Sequence, residues 1–182
     1  EAVKMTGHAK LLAVYQENGK FSGSPADLQL EIKPGSGRVF IETIPLSKVD
    51  TQISTRFAKQ IACKFAQKDC SEYDFFYTIK SAAGIVGGPS AGSAVAVLTA
   101  AMLLDLDVDQ NTAITGTINS GELIGPVGSL KEKIDAAKMA GVQKVLIPAV
   151  QQEMQENNIT SLVDYGKENG ITVVPINTLG EA

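Results

Sequence analysis

The first quarter of the chain has the residue pattern of short β-strands. Leu28-Gln-Leu-Glu-Ile32 alternates apolar and polar residues, which is typical of a strand with one buried face. Segments 8–15 and 38–44 are further predicted strands. The turn Pro34-Gly-Ser-Gly37 separates the second strand from the third, so we expect these two to form a hairpin.

A different spacing follows this region and predicts an amphipathic helix. Apolar residues recur every fourth position and define its expected buried face: Val49, Ile53, Phe57, Ile61 and Phe65. Ser47, with Asp50 three residues on, fits an N-terminal cap for this helix.

The middle of the chain combines a strand, a glycine-rich loop and a very apolar helix. The strand is predicted over 74–79 and the loop over 84–88. Residues 90–104 are apolar on nearly every side, so we expect this helix to lie buried in the centre of the domain.

Turn and cap signals organise the next part of the chain. Segments 112–118 and 122–124 flank Asn119-Ser-Gly121 and predict a second hairpin. Ser129 and Glu132 have the spacing of a capping box, which predicts a helix that ends near Gly141.

The C-terminal part alternates strands and helices. We predict a strand over 144–147, a short helix after Pro148, a helix over 161–168 and a strand over 171–175. Such alternation is typical of parallel βαβ pairing. The fold class is therefore a mixed α/β (α+β) single domain over 1–182, with N-terminal antiparallel hairpins, a buried central helix and a parallel βαβ-like C-terminal part.

Length, charge and hydropathy exclude several classes of protein. The 182 residues suffice for one domain, and the net charge of −4 comes from interspersed charges without a basic cluster. This disfavours a nucleic-acid partner. The apolar run 94–104 is too short to span a bilayer, so we predict no membrane segment in this chain and assign no compartment. Because the chain opens with Glu1, we expect it to be a piece of a longer protein.

Histidine and cysteine are scarce, which limits the available chemistry. His8, Cys63 and Cys70 are too few and too scattered for a zinc site. A Ser-His-Asp triad would need His8, which lies close to the N-terminus. Any base that works near neutral pH is therefore expected to be a carboxylate or a lysine. Cys63 and Cys70 could pair across the end of a helix, but we favour two buried thiols.

The loop Gly87-Gly-Pro-Ser-Ala-Gly92 holds the candidate nucleophile, Ser90. Its glycines permit a tight turn and close approach of a ligand. Ser90 is predicted to lie at the first turn of the buried helix, where free N–H groups can stabilise an oxyanion. A plain helix cap is the alternative role that this loop alone leaves open.

The candidate base comes from a helical wheel. At about 100° per residue, Lys133 falls inside the apolar arc formed by Leu130, Ile134 and Ala137. The neighbouring Lys131 lies outside that arc. A lysine on a buried face either extends its amine toward solvent or serves a function.

Several blocks of the sequence together resemble the proteolytic domain of Lon proteases. They are Gly88-Pro-Ser-Ala-Gly92, Thr115-Gly116, Pro126-Val-Gly-Ser-Leu-Lys-Glu-Lys133-Ile-Asp-Ala-Ala137 and Lys144-Val-Leu-Ile-Pro148. The resemblance runs from about 49 to 150 and is strongest over 87–148.

The resemblance implies a serine endopeptidase with a Ser–Lys dyad. Ser90 matches the nucleophile of the family and Lys133 its general base. Thr115 matches a threonine that holds the lysine amine, although an ordinary strand residue is the plainer role. Two positions depart from the family: Gly87 replaces a frequent acidic residue, and Thr78 replaces a histidine of bacterial members.

The resemblance also implies polypeptide substrates and a homo-hexameric ring. No Gly-x-x-x-x-Gly-Lys-Ser/Thr motif occurs in the chain. We therefore expect no cofactor in this domain, and ATP with Mg²⁺ only if an ATPase module lies outside it.

Two other functions stay open from sequence. One is a small-molecule kinase of similar broad fold, of which the loop 87–93 is a weak echo. The other is a catalytically silent Lon-like module for assembly or binding.

Overall fold

The computed structural model describes residues 2–150 and 159–182. Within them the chain forms four helices: α1 (Val49–Ala66), α2 (Gly92–Leu103), α3 (Leu130–Met139) and α4 (Ile159–Glu168). The same residues form nine strands: β1 (Thr6–Glu17), β2 (Lys20–Pro34), β3 (Val39–Ile44), β4 (Tyr73–Ser81), β5 (Thr112–Ile114), β6 (Thr117–Ile118), β7 (Ile124–Gly125), β8 (Lys144–Pro148) and β9 (Thr172–Ile176). The mixed α/β class predicted from sequence is confirmed.

The N-terminal sheet has the strand order β1-β2-β4-β3, so the predicted pairing of the second and third strands is wrong. Strand β4 lies between them, antiparallel to β2 and parallel to β3. The buried Asp74 at the start of β4 explains the arrangement. Its carboxylate accepts hydrogen bonds from the N–H groups of Ser36 and Arg38 and from the Arg38 guanidinium. The turn 34–37 is thus attached to the inserted strand, which keeps β2 and β3 apart.

Helix α1 is confirmed, but its buried face is predicted only in part and its cap differs. Ile61 is buried, and Phe57 and Phe65 pack against the core, whereas Val49 and Ile53 are 69% and 64% exposed. The first turns instead bury small and hydroxyl-bearing residues, which let α1 pack closely on α2: Thr51, Thr55, Ala58 and Ala62. Lys48, not Ser47, is the N-cap residue, and no side chain caps the helix.

Helix α2 is buried on nearly every side, as predicted. It belongs to the main core, together with the inner faces of β2 and β4. Its Thr99 hydroxyl bonds to the Val95 carbonyl oxygen and to the Tyr77 hydroxyl, 2.7 Å away. The helix begins at Gly92, two residues later than expected.

A second sheet, in the order β5-β8-β9, is entirely parallel and confirms the pairing predicted for the C-terminal part. The predicted strand 112–118 divides into β5 and β6 at Gly116, where a Cβ atom would lie 2.5 Å from Ile124 Cγ2. Strand β6 pairs with β7 in the predicted hairpin. Most of the predicted short helix after Pro148 lies outside the described residues.

Helix α3 covers this second sheet and packs on β1 and β2. Its N-cap residue is Ser129, as predicted, but the Ser129 side chain makes no capping hydrogen bond. The predicted capping box with Glu132 is therefore wrong. Because Ser129 has φ 56° and ψ 44°, its backbone is left-handed rather than in the extended conformation of an ordinary capping serine.

The expectation of two buried thiols is also wrong, because Cys63 and Cys70 form a disulfide with a Cα–Cα distance of 6.1 Å. Gln67 ends α1 in a left-handed conformation, and Asp69 caps a short 3₁₀ turn that begins at Cys70. These two turns bring the chain back on itself and place the cysteines within bonding reach.

Candidate active site

Ser90 lies in the turn that leads into α2. The backbone of this turn is fixed by bonds from Gly92 N to Pro89 O and from Gly116 N to Ser90 O, at 3.0 and 3.1 Å. Gly88 has φ +86°, a conformation that favours glycine. The nucleophile candidate is therefore held between the central helix and the break between β5 and β6.

Helix α1 holds the same loop from the other side. Asp50 Oδ2 accepts a hydrogen bond from Gly88 N at 3.1 Å. The hydroxyls of Thr51 and Ser54 donate to the carbonyl oxygens of Gly88 and Pro89, at 3.2 and 3.3 Å. We call Asp50, Thr51 and Ser54 the α1 clasp. The sequence pattern does not predict this clasp, and its only signal is the presence of hydroxyl residues among small ones on the helix.

The α1 clasp is extended by backbone pairing just before the helix. Lys48 N donates to Val86 O, and Val86 N donates to Leu46 O. A Cβ atom on Gly87 would lie 3.0 Å from Lys48 Cδ, so the loop passes close to this lysine. All four residues directly before Ser90 therefore lie against one continuous segment of the chain, residues 46–54.

Lys133 is buried, as the helical wheel predicts. It is 5% exposed, whereas Lys131 and Lys138 on the same helix are exposed. Burial lowers the pKa of Lys133 to about 8, because desolvation penalises its charged form. No carboxylate pairs with it in the described part of the chain. At pH 7 about a tenth of the molecules then hold this amine uncharged, against fewer than about one in a thousand at the ordinary lysine pKa.

Ser90 and Lys133 line one cavity of about 460 Å³. Strands β1 and β2 form one wall and the loop before α2 another, while the segment 126–129 leads into α3. Lys133 is the only charged residue among the described residues of the lining. A larger groove, of about 670 Å³, lies between α2 and the second sheet and contains neither Ser90 nor Lys133. The smaller cavity is therefore the candidate active site, because it contains both Ser90 and Lys133.

Thr115 is placed differently from Ser90 and Lys133. It follows β5, is 2% exposed, and is not part of the cavity lining. Within the described residues its hydroxyl has no hydrogen-bond partner, and neither has the buried hydroxyl of Ser93. No hydrogen bond joins Ser90 Oγ, Lys133 Nζ and Thr115 Oγ1 in the described structure. The structure thus brings two of the three predicted site residues to one cavity.

His8, the single histidine, lies on the exposed surface of β1 and does not line this cavity. Its backbone carbonyl accepts a hydrogen bond from Gln110. Its position agrees with the expectation that any base in this protein is not a histidine.

A serine that shares a cavity with a desolvated lysine, just before a buried helix of a mixed α/β domain, is an arrangement suited to hydrolases with a serine nucleophile. The family of the Lon protease (S16) C-terminal proteolytic domain matches residues 38–181, and the chain belongs to this family of peptidases.

Curated relatives support the assignment. The archaeal Lon protease of Methanothermobacter thermautotrophicus is 35% identical over 118 residues, which cover 65% of this chain and 17% of that protein. The Lon protease of Helicobacter pylori is 31% identical over 187 residues, which cover 100% of this chain and 21% of that protein. The chain thus spans about a fifth of the length of these relatives. None of the described helices combines the length and apolar character needed to cross a membrane.

Proposed function

We propose that the chain is a serine endopeptidase domain that uses a Ser90–Lys133 dyad and an acyl-enzyme. One observation carries the proposal: Lys133, desolvated and without a carboxylate partner among the described residues, lines the same uncharged cavity as Ser90. Membership in a peptidase family supports the same reaction.

In the first half of the reaction, the neutral Lys133 amine takes the Ser90 hydroxyl proton while Ser90 Oγ bonds to the carbonyl carbon of the substrate. The oxyanion is stabilised by backbone N–H groups. Ser90 and Ala91 suit this role, because their N–H groups make no hydrogen bond within the described part of the chain. The lysinium then protonates the leaving amine nitrogen as the C–N bond breaks, which leaves an ester on Ser90.

The second half returns the enzyme to its starting state. Lys133 takes a proton from water while the water oxygen bonds to the ester carbon. The bond between this acyl carbon and Ser90 Oγ then breaks. The lysinium returns its proton to Ser90 Oγ, and the product leaves as a carboxylic acid. Thr115 is proposed to hold the Lys133 amine during the reaction through its buried hydroxyl, which has no partner among the described residues.

Covalent labelling with a fluorophosphonate tests the dyad. We expect wild-type protein to be labelled and both Ser90→Ala and Lys133→Ala to lose labelling. Lys131→Ala is the matched control, because this exposed lysine of the same helix lies outside the cavity. Labelling that persists in Ser90→Ala would remove the proposed nucleophile. An unlabelled, folded wild-type protein would favour the silent binding module instead.

For the whole protein we propose polypeptide substrates, a homo-hexameric ring, and ATP with Mg²⁺ only through a module outside this domain. The family and its relatives, named as proteases, support the substrate class. Light scattering tests the ring, since a hexamer has six times the 19.2 kDa of one chain. A kinase function finds no support, because the matched family is proteolytic.

A further inference from the structure

Ser129 has a backbone conformation that an L-residue rarely adopts. It is one of five non-glycine residues with positive φ among the described residues. The other four are Asn18, Gln67, Asp105 and Glu122, and none of them lines the cavity of Ser90 and Lys133. A left-handed serine is less stable than glycine in the same place, because its Cβ crowds the backbone. Strain of this kind at a functional site points to a role for the side chain.

The Ser129 hydroxyl does not perform the task that a serine normally has at a helix start. It makes no capping hydrogen bond, although the Ser129 carbonyl accepts the first helical bond from Lys133 N at 3.1 Å. Within the described part of the chain this hydroxyl has no partner. The residue is half-buried and lines the cavity.

Ser129 lies in the cavity that also contains Ser90 and Lys133. Its carbonyl oxygen accepts the bond from Lys133 N, so the N-cap residue and the lysine lie one helical turn apart. A lysine side chain in a helix leans toward the N-terminus, which brings the amine toward the turn that Ser129 opens. The loop of Ser90 lines the same cavity. An extended peptide that reaches Ser90 and Lys133 therefore runs beside the Ser129 hydroxyl.

We propose that Ser129 is a substrate-binding residue, whose hydroxyl forms a hydrogen bond with the peptide main chain beside the scissile bond. A hydroxyl suits this partner because it donates to a carbonyl oxygen and accepts from an N–H group. The cavity has no other side chain with a free hydroxyl on the α3 side among the described residues. The inference rests on the proposed peptidase function, but binding is measured separately from cleavage.

The experiment measures the affinity of the Ser90→Ala protein for a fluorescein-labelled peptide of alternating Leu and Ser residues by fluorescence anisotropy. We expect Ser129→Ala and Ser129→Gly, each in this background, to bind about tenfold more weakly, as for the loss of one hydrogen bond. The glycine variant should at the same time unfold at a higher temperature, because it relieves the left-handed strain. Weaker binding with higher stability cannot result from a damaged fold.

Gln67→Gly in the same background is the matched control. It replaces a left-handed residue at the end of α1, outside the cavity, so stability should rise with unchanged affinity. Unchanged affinity in both Ser129 variants, or no binding by the Ser90→Ala protein at all, overturns the inference. A pH profile of cleavage displaced by Ser129→Ala, with unchanged affinity, would assign the hydroxyl to Lys133 and also overturn it. Weaker binding in a protein that cleaves nothing upholds Ser129 while the proposed function fails.

Discussion

At the scale of single residues, the candidate chemistry depends on the burial of Lys133 without an ion-pair partner among the described residues. Its pKa falls to about 8 through burial, and no ion pair in the described residues counteracts this. Desolvation makes the amine a base near neutral pH. It also lowers the stability of the folded protein, because the charged amine is better solvated in the unfolded chain. Activity and stability therefore depend on the same residue in opposite directions.

The pH profile of peptide cleavage should report this amine. The neutral form takes the Ser90 proton, so we expect kcat/KM to rise with pH and to level off above about 8. Initial rates across pH 5–10 check it. Lys131→Ala and His8→Ala should keep the same profile, since neither side chain lines the cavity. If His8→Ala shifted the pH at which kcat/KM rises, the base would have to be reassigned to the histidine.

Replacing the buried amine should stabilise the fold while abolishing cleavage. The unfolded chain keeps Lys133 protonated up to the ordinary lysine pKa of 10.5, whereas the folded chain releases the proton near 8. Stability therefore increases as pH rises from about 8 to 10.5, and below pH 8 the full cost of about 3 kcal/mol is present. We expect Lys133→Met to raise the free energy of unfolding at pH 7 by up to about this amount. Urea unfolding at pH 7 and pH 10 measures it; an equal gain at both values would contradict a desolvation cost.

The α1 clasp should act on the reaction rate through the position of Ser90. Asp50→Ala removes the acceptor for Gly88 N, and we expect the fluorophosphonate labelling rate to fall about ten- to a hundredfold. Asp50→Asn keeps one acceptor oxygen and should recover most of the rate. The exposed Gln52, on the same helix, supplies the control Gln52→Ala. Equal rates in Asp50→Ala and wild type would show that the loop does not need this bond.

At the scale of elements, one carboxylate determines how the N-terminal sheet is put together. Asp74 lies at the start of β4 and accepts hydrogen bonds from the turn that joins β2 to β3. The Arg38 guanidinium and the Ser36 N–H hold the pKa of Asp74 down, to about 2. The inserted position of β4 is thus tied to an ionised side chain.

Acid should weaken this part of the fold. A carboxylate with a lowered pKa stabilises the protein above its unfolded value near 3.8, and this contribution is lost as pH falls toward 2. We expect Asp74→Asn to lower the melting temperature at pH 7 and to remove this acid dependence. Asp27→Asn is the control, because its partner Lys10 forms an exposed pair worth little. Identical acid unfolding of wild type and Asp74→Asn would contradict the assignment.

The disulfide holds the end of α1 to the turn before β4. The two cysteines are only seven positions apart, so the disulfide closes a short loop. We expect the double variant Cys63→Ala with Cys70→Ala to lower the free energy of unfolding by about 2–3 kcal/mol. Reducing agent should lower the melting temperature of wild type and leave the double variant unchanged. The labelling rate of Ser90 should stay the same at a temperature where both proteins are folded, since neither cysteine lines the cavity.

At the scale of the whole molecule, local patterns predicted most elements and long-range contacts explain the failures. The continuous apolar character of 90–104 and the wheel position of Lys133 depend on neighbours along the chain, and both agree with the structure. The pairing of β2 depends on Asp74, about 40 positions away. The α1 clasp spans 35 to 38 positions. No repeat or residue spacing in the sequence predicts these long-range hydrogen bonds.

The errors in α1 and in the cysteines have separate causes, one in helix packing and one in the geometry of a short local segment. A four-residue spacing of large apolar residues predicted the buried Ile61 but wrongly included Val49 and Ile53, because small residues fit against α2 in the first turns. The cysteine pair needed two turns, at Gln67 and Asp69, whose geometry is not visible in composition. Thr115 stays a prediction, since its hydroxyl is buried beside the site without a partner among the described residues.

The burial of α2 on nearly all sides has a consequence for how the protein loses activity on heating. Helices in the core exchange their amide hydrogens only when the whole domain opens, while exposed segments open locally and often. Ser90 is two residues before the start of α2, its neighbour Pro89 accepts a hydrogen bond from Gly92 N, and its own carbonyl accepts one from Gly116 N. We therefore expect the loss of Ser90 labelling on warming to coincide with the melting of the whole domain.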